Sequence, residues 1–209
     1  KGKLITFNPK SHVRMSPSFQ PEADGVTFHL KAVYTDTLRN EYSKEHSTHP
    51  IRMSRICGPV EVVNDTTFTV RFYRMGLDNP KRTGGICLMA SVKQDHKYRS
   101  AVQQVEIRIP YRNKEGIPQR IIFPKLSDVK ASVKEISLNG TADSGLPVYS
   151  YVKEGPAEIK GDKLVLTKIP PRAKFPVKVT VVAWQYGRSG EPKVQTAEGV
   201  EQSFYITAR

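Results

Sequence analysis

The chain has 209 residues, with 33 Lys and Arg against 20 Asp and Glu and a formal net charge of +13. Mean hydropathy is −0.46, and no apolar run approaches the roughly 20 residues that a membrane helix needs, so helical membrane insertion is excluded. The basic excess suits polyanions in general, acidic or sulfated polysaccharide among them, but no block of about five or more consecutive basic residues marks a nucleic-acid tail, and no nucleic-acid partner is expected.

From the N-terminus, Leu4-Ile5-Thr6-Phe7-Asn8-Pro9-Lys10 reads as a strand and turn. Val26 to Val33 adds a further strand, and Thr35–His49 is polar, holds Lys44, His46 and His49, and reads as an exposed loop. Pro50-Ile51 opens a segment that runs through Gly58-Pro59-Val60-Glu61-Val62 to a turn at Asn64-Asp65 and the apolar run Phe68-Thr69-Val70. Val105, Ile107 and Ile109 then alternate as a half-buried strand does. Tyr111–Gln119, with Arg112-Asn113-Lys114-Glu115-Gly116, reads as a polar, flexible seam.

After the seam the pattern recurs. Arg120-Ile121-Ile122-Phe123-Pro124-Lys125 matches the N-terminal opening. Pro147-Val148 through Gly155-Pro156-Ala157-Glu158-Ile159 and Asp162 matches the segment from Pro50 to Asp65 at a constant spacing of 97 residues. Lys160-Gly161-Asp162 is a second hairpin turn, Leu164-Val165-Leu166 follows, and Val177, Val179, Val181 and Ala183 alternate. A repeat of about a hundred residues is one small domain. Many short strands punctuated by 15 Pro and 14 Gly favour β-sandwiches. The expected architecture is therefore all-β, two tandem immunoglobulin-like β-sandwich domains, residues 1–112 with an insertion around 25–49 and residues 120–209. The chain starts without Met and stops directly after a strand-like run, and reads as a piece of something longer.

The second copy also carries a recognisable string: Asp143-Ser144-Gly145-Leu146-Pro147-Val148, Gly155-Pro156-Ala157-Glu158-Ile159, Gly161-Asp162-Lys163-Leu164, Val179-Thr180-Val181-Val182-Ala183 and Gln202-Ser203-Phe204. Over residues 124–209 it resembles the bacterial immunoglobulin-like repeats of secreted or surface proteins, often neighbours of glycoside hydrolases, lyases or esterases. The first copy resembles them less, through Pro50, Gly58-Pro59 and its strand endings. The resemblance implies a secreted or cell-surface location, a non-catalytic accessory role beside other domains of the same parent chain, and no catalytic residues or cofactor.

Strand parity nominates a binding surface. With Val177, Val179, Val181 and Ala183 inward, Lys178, Thr180, Val182, Trp184 and Tyr186 face outward. On the preceding strand Tyr149, Tyr151 and Lys153 do the same. These strands are neighbours in an immunoglobulin-like sheet, so Trp184, Tyr186, Tyr149 and Tyr151 form an exposed aromatic strip edged by Lys153, Lys178 and Arg188. Aromatic faces stack on sugar rings, and the cations suit sulfate or carboxylate groups. The alternatives are that the strip packs against another module, leaving a structural spacer, or that the Thr35–His49 loop docks a protein. Catalysis has little support: His46 and His49 have no carboxylates at metal-ligand spacing, and no nucleophile or phosphate-loop motif is present. Cys57 and Cys87 are confined to the first copy, their counterparts lying near Glu154 and Thr180, and are either free thiols or one disulfide.

Overall fold

The computed structural model describes residues 4–7, 19–35, 43, 45–72 and 83–208. Among them there are strands and turns but no helix, as runs of Val, Ile, Thr and aromatic residues bounded by Gly, Pro, Asn and Asp dictate. The protein is all-β and consists of two immunoglobulin-like sandwich units. The described residues up to Arg71, with 83 to Tyr111, form the first; Phe72 and the residues from Arg112 onward form the second.

The first unit holds β1 (Leu4–Phe7), β2 (Thr27–His29), β3 (Ala32–Thr35), β4 (Arg52–Cys57), β5 (Val60–Val62), β6 (Thr67–Val70), β7 (Thr83–Val92) and β8 (Ala101–Pro110). Its sheets are β2-β6-β5 and β4-β7-β8, with β1 paired to β3. The second holds β9 (Ile121–Ile122), β10 (Val129–Lys130), β11 (Glu135–Ser137), β12 (Thr141–Ala142), β13 (Tyr149–Glu154), β14 (Ala157–Lys160), β15 (Lys163–Leu166), β16 (Val177–Trp184) and β17 (Val200–Thr207). Its sheets are β11-β15-β14 and β13-β16-β17, with β9 paired to β12. The order is therefore the same strand for strand. The second unit adds β10, which runs parallel to β17.

Alternation decides which face is buried. In β8, Val105, Ile107 and Ile109 are buried while Gln104, Glu106 and Arg108 are exposed, and in β17 Phe204 and Ile206 repeat the pattern. In the second unit Leu164 of β15 meets Val179, Val181 and Ala183 of β16 and Phe204 and Ile206 of β17 in one core, closed by Ile121, Phe123, Leu126 and Ala197. Each fully buried side chain of this size contributes about 1.5–3 kcal/mol. The first unit buries Val60, Phe68 and Val70 from one sheet and Ile86, Leu88, Ala90 and Ile107 from the other, and Phe28 stacks on Phe68 at 5.5 Å between ring centroids.

The repeated Gly-Pro pairs mark the same corner in both units. A register irregularity falls between Arg55 and Cys57 of β4 and, 97 residues on, between Val152 and Glu154 of β13. Gly58 and Gly155 follow with φ of 95° and 101°. A Cβ on Gly58 would lie 2.2 Å from the Gly85 carbonyl oxygen, and one on Gly155 2.6 Å from that of Lys178. Only glycine permits both the positive φ and the close approach of the facing backbone. The chain then turns back alike in both units, one residue shorter in the second: the Arg71 N–H donates to the Pro59 carbonyl and the Thr167 N–H to the Pro156 carbonyl, each at 2.9 Å.

Three expectations about local structure change. Val26 to Val33 adds nothing to the shared framework, because β2 and β3 occupy the places of β11 and β12. The segment Thr35–His49 is not simply exposed: residues 36–42 and 44 lie outside the described residues, but Ser43 and Ser47 are buried. The seam is built into the second unit. Arg112 binds Glu198 through two hydrogen bonds of 2.5 and 2.7 Å, Asn113 and Gln119 are buried, and Ile117 bridges to Val194. Polar residues look flexible in sequence, yet here they satisfy backbone groups that a loop would otherwise leave unpaired.

The corner glycines separate two costs. Gly155→Ala and Gly58→Ala are expected to destabilise their units by about 2–4 kcal/mol in urea unfolding, since strain and collision add. Gly161→Ala, at φ 63° with no atom within 4 Å of the added Cβ, is expected to cost only about 1 kcal/mol.

Candidate functional site

The aromatic strip forms, but inside the protein. β13 lies antiparallel to β16 with Tyr149 opposite Trp184 and Tyr151 opposite Val182. Val179, Val181 and Ala183 face the core, and Val148 and Val152 pack against it. The parity and the strand neighbours are thus as expected from sequence. The exposure is not: Trp184 and Tyr186 are 0% exposed and Tyr151 8%. The Tyr149 ring stacks on the Trp184 indole at 4.9 Å and 29°. Phe72 meets the same indole edge-on at 5.1 Å and 89° and lies 5.5 Å from Tyr186. The strip is a second apolar layer on the far face of β16 and presents no aromatic platform to a sugar. Burial also pushes the Tyr186 hydroxyl well above the ordinary tyrosine range.

Phe72 is the residue that sequence reading missed. It stands outside both repeat strings, just after the Phe68-Thr69-Val70 run, and only its membership of the second unit brings it to Trp184. Among the described residues the Trp184 Nε1–H has no hydrogen-bond partner. An unsatisfied buried donor costs about 1–3 kcal/mol, whereas burying an aromatic side chain of about 200 Å² returns about 5 kcal/mol. Apolar burial wins, and the indole stays inside.

A polar collar holds this layer in place. Gln185 is fully buried; its Oε1 accepts from Gln119 Nε2 at 3.0 Å and from the Gly187 N–H, and its Nε2 donates to the Pro147 carbonyl at 3.1 Å. Asn113 Nδ2 donates to the Tyr186 carbonyl at 3.0 Å, while the Asn113 N–H donates to Thr196 Oγ1 at 2.8 Å. The Arg112 guanidinium beside Glu198 holds that carboxyl below its usual range. The former seam therefore closes the end of the sheet over Tyr186.

The nominated cations are engaged as well. Lys153 pairs with Glu201, Lys178 reaches Glu154 at 3.4 Å, and Arg188 Nε donates to the Pro192 carbonyl at 2.8 Å. Lys153 and Lys178 remain solvent-exposed, so their ion pairs are worth at most about 1 kcal/mol. They neutralise neighbouring carboxylates and do not converge on one anion site.

In the first unit the described part of the Thr35–His49 segment contacts Tyr34 of β3 and Asp95 in the turn between β7 and β8. Tyr34 and His46 stack at 4.3 Å and 7°, and the Tyr34 hydroxyl donates to the His49 carbonyl at 3.1 Å. His46 Nδ1 lies 2.7 Å from the Ser47 carbonyl, so this ring is held by stacking and a backbone contact. Asp95 anchors the segment: its carboxylate accepts from Ser47 Oγ at 2.6 Å and from the N–H groups of Tyr98 and Lys97 at 2.7 and 2.8 Å. These hydrogen bonds, the one from Ser47 first, hold its pKa down to about 2.

Trp184→Ala is expected to destabilise the second unit by about 3–5 kcal/mol in chemical unfolding, whereas Lys178→Ala stays within about 1 kcal/mol. Asp95 has a folded pKa below its unfolded value of about 3.9. Its contribution is therefore present above about pH 4 and is lost as pH falls through about 2. Thermal melts of the chain and of Asp95→Asn are expected to converge over that window and to differ at neutral pH.

No protein-family profile matches the chain, and no curated protein sequence does. Among solved structures, human protocadherin-24 EC1-2 is similar at 12% identity and a TM-score of 0.34, over 90% of this chain and 92% of that one. Mouse cadherin-23 EC22-24 is similar at 17% identity and 0.30, over 92% and 61%. Protocadherin gamma B2 extracellular cadherin domains 3-6 give 12% and 0.31 over 100% and 54%, and Drosophila N-cadherin EC1-4 gives 12% and 0.32 over 94% and 49%. The chain thus spans about half the length of the last two. Likeness at this level reaches neither sequence nor function.

Proposed function

We propose that the chain is a non-catalytic accessory module of a secreted or cell-surface bacterial protein that handles polysaccharide, and that it spaces the neighbouring domains of that parent chain. The observation that supports the spacer over the glycan platform is the burial of Trp184 and Tyr186 at 0% exposure. The side chains with the greatest capacity to stack on sugar are spent on the internal packing of the second unit. The secreted, bacterial setting follows from the resemblance of residues 124–209 to bacterial immunoglobulin-like repeats.

The net charge of +13 favours one secondary reading, weak association with acidic or sulfated polysaccharide through the general surface. Such binding is electrostatic, follows charge density more than sugar identity, and falls steeply with salt.

Affinity electrophoresis of the chain in gels containing neutral, carboxylated or sulfated polysaccharide separates these readings. The expected result is no retardation by neutral glycan, and retardation by the anionic ones that disappears between about 20 mM and 200 mM salt as the Debye length shrinks. Retardation by one glycan that survives the higher salt would show a built binding site and overturn the spacer reading.

A further inference from the structure

Outside the aromatic layer, a cysteine pair lies among the described residues on the outer face of the first unit's β4-β7-β8 sheet. Cys57 and Cys87 are direct partners in the β4–β7 ladder. Ile86 and Leu88, on either side of Cys87, are buried, so Cys87 points away from the core. Cys57 is exposed and Cys87 half-buried, and both are free thiols. In a regular antiparallel pair opposed Cα atoms lie about 4.5–5.5 Å apart, inside the range of about 4.4–6.8 Å that a disulfide spans; this rung adjoins the register irregularity between Arg55 and Cys57, and across it the two thiols are in hydrogen-bond contact.

The second unit supplies an independent measure of this rung. Its equivalent positions, beside the equivalent register irregularity, are Glu154 and Thr180, again direct ladder partners. There the side chains touch, Thr180 Oγ1 donating to Glu154 Oε2 at 3.3 Å. The neighbouring glycine corner also brings the strands close, as the 2.2 Å between a Gly58 Cβ and the Gly85 carbonyl oxygen shows. The corner that forbids a side chain at residue 58 adjoins the rung on which residues 57 and 87 are paired.

We propose that Cys57 and Cys87 form an intramolecular cross-strand disulfide when the chain meets a disulfide oxidant, such as oxidised glutathione or a protein disulfide. The more exposed Cys57 loses its proton and its thiolate attacks one sulfur of the oxidant, expelling the other as a thiolate and leaving a mixed disulfide. The Cys87 thiolate then attacks Cys57 Sγ and expels the second thiolate. One S–S bond replaces another, the two cysteines lose two protons and two electrons, and the oxidant leaves as two thiols. Burial, the Cys57 thiol and the Glu106 carboxylate hold the Cys87 thiol above its ordinary range, consistent with Cys87 acting second. The product links β4 to β7 and closes the chain from residue 57 to residue 87.

The full-length chain, reduced and then exposed to oxidised glutathione under native conditions, tests this by intact mass and a non-reducing peptide map. The expected result is the loss of two hydrogens, one peptide pair joined through Cys57 and Cys87, and a melting temperature for the first unit raised by roughly 5–10 °C. Cys57→Ser and Cys87→Ser should each remove the cross-link and accumulate a glutathione adduct on the remaining thiol. Two unreacted thiols, a persistent glutathione adduct on the unsubstituted chain, or dimers linked between chains would each refute the proposal.

Discussion

β16 is buried on both faces, and the second unit is organised around that constraint. An immunoglobulin-like sheet needs only one covered face, and Val179, Val181 and Ala183 meet that need. Val182 and Trp184 on the other face, with Tyr186 just beyond the strand, are buried too. A strand covered twice must have a second layer over it, and the chain supplies one from distant places: Tyr149 from β13, Phe72 from the segment after β6, and the collar of Arg112, Asn113 and Gln119. Within that collar Gln119 meets the buried amide of Gln185 and Asn113 the Tyr186 carbonyl, polar groups whose hydrogen bonds must be met inside the protein.

The Gly-Pro corner is the matching constraint of the repeat itself. In both units a ladder irregularity, a glycine at positive φ and the following proline occur at the same step. The reason is steric: the chain leaving β4 or β13 passes so close to the facing strand that the backbone leaves no room for a Cβ. Around this shared corner the two units diverge in their polar chemistry. The rung that carries two thiols in the first carries a hydroxyl and a carboxylate in the second. Both pairs sit on the face of the strand turned away from the core, and in each the two side chains meet one another: Thr180, itself buried, donates to Glu154.

Much of this was legible in the amino-acid order. Spacing revealed the repeat, alternation revealed the inward faces of β8 and β16, and Asn64-Asp65 and Gly161-Asp162 announced the turns. Asn64 Oδ1 indeed accepts from the N–H groups of Thr66 and Thr67, both at 2.9 Å. The two misread polar segments share one cause. Polar segments such as Thr35–His49 and Tyr111–Gln119 look like loops and linkers because composition reports average exposure, while Ser47, Asn113 and Gln119 are buried by particular hydrogen bonds that form only in the folded chain.

By itself, then, the sequence determined the all-β class, the duplication and the strand parity, because these follow from local periodicity and from spacing along the chain; the adjacency of β13 to β16 came from the expected immunoglobulin-like sheet order. Only the tertiary structure decided that Trp184, Tyr186 and Tyr151 are interior, that Phe72 belongs with them, and that Cys57 faces Cys87. Parity tells which residues share a face. Whether that face meets water depends on what the rest of the chain lays over it, and that is a matter of non-local packing.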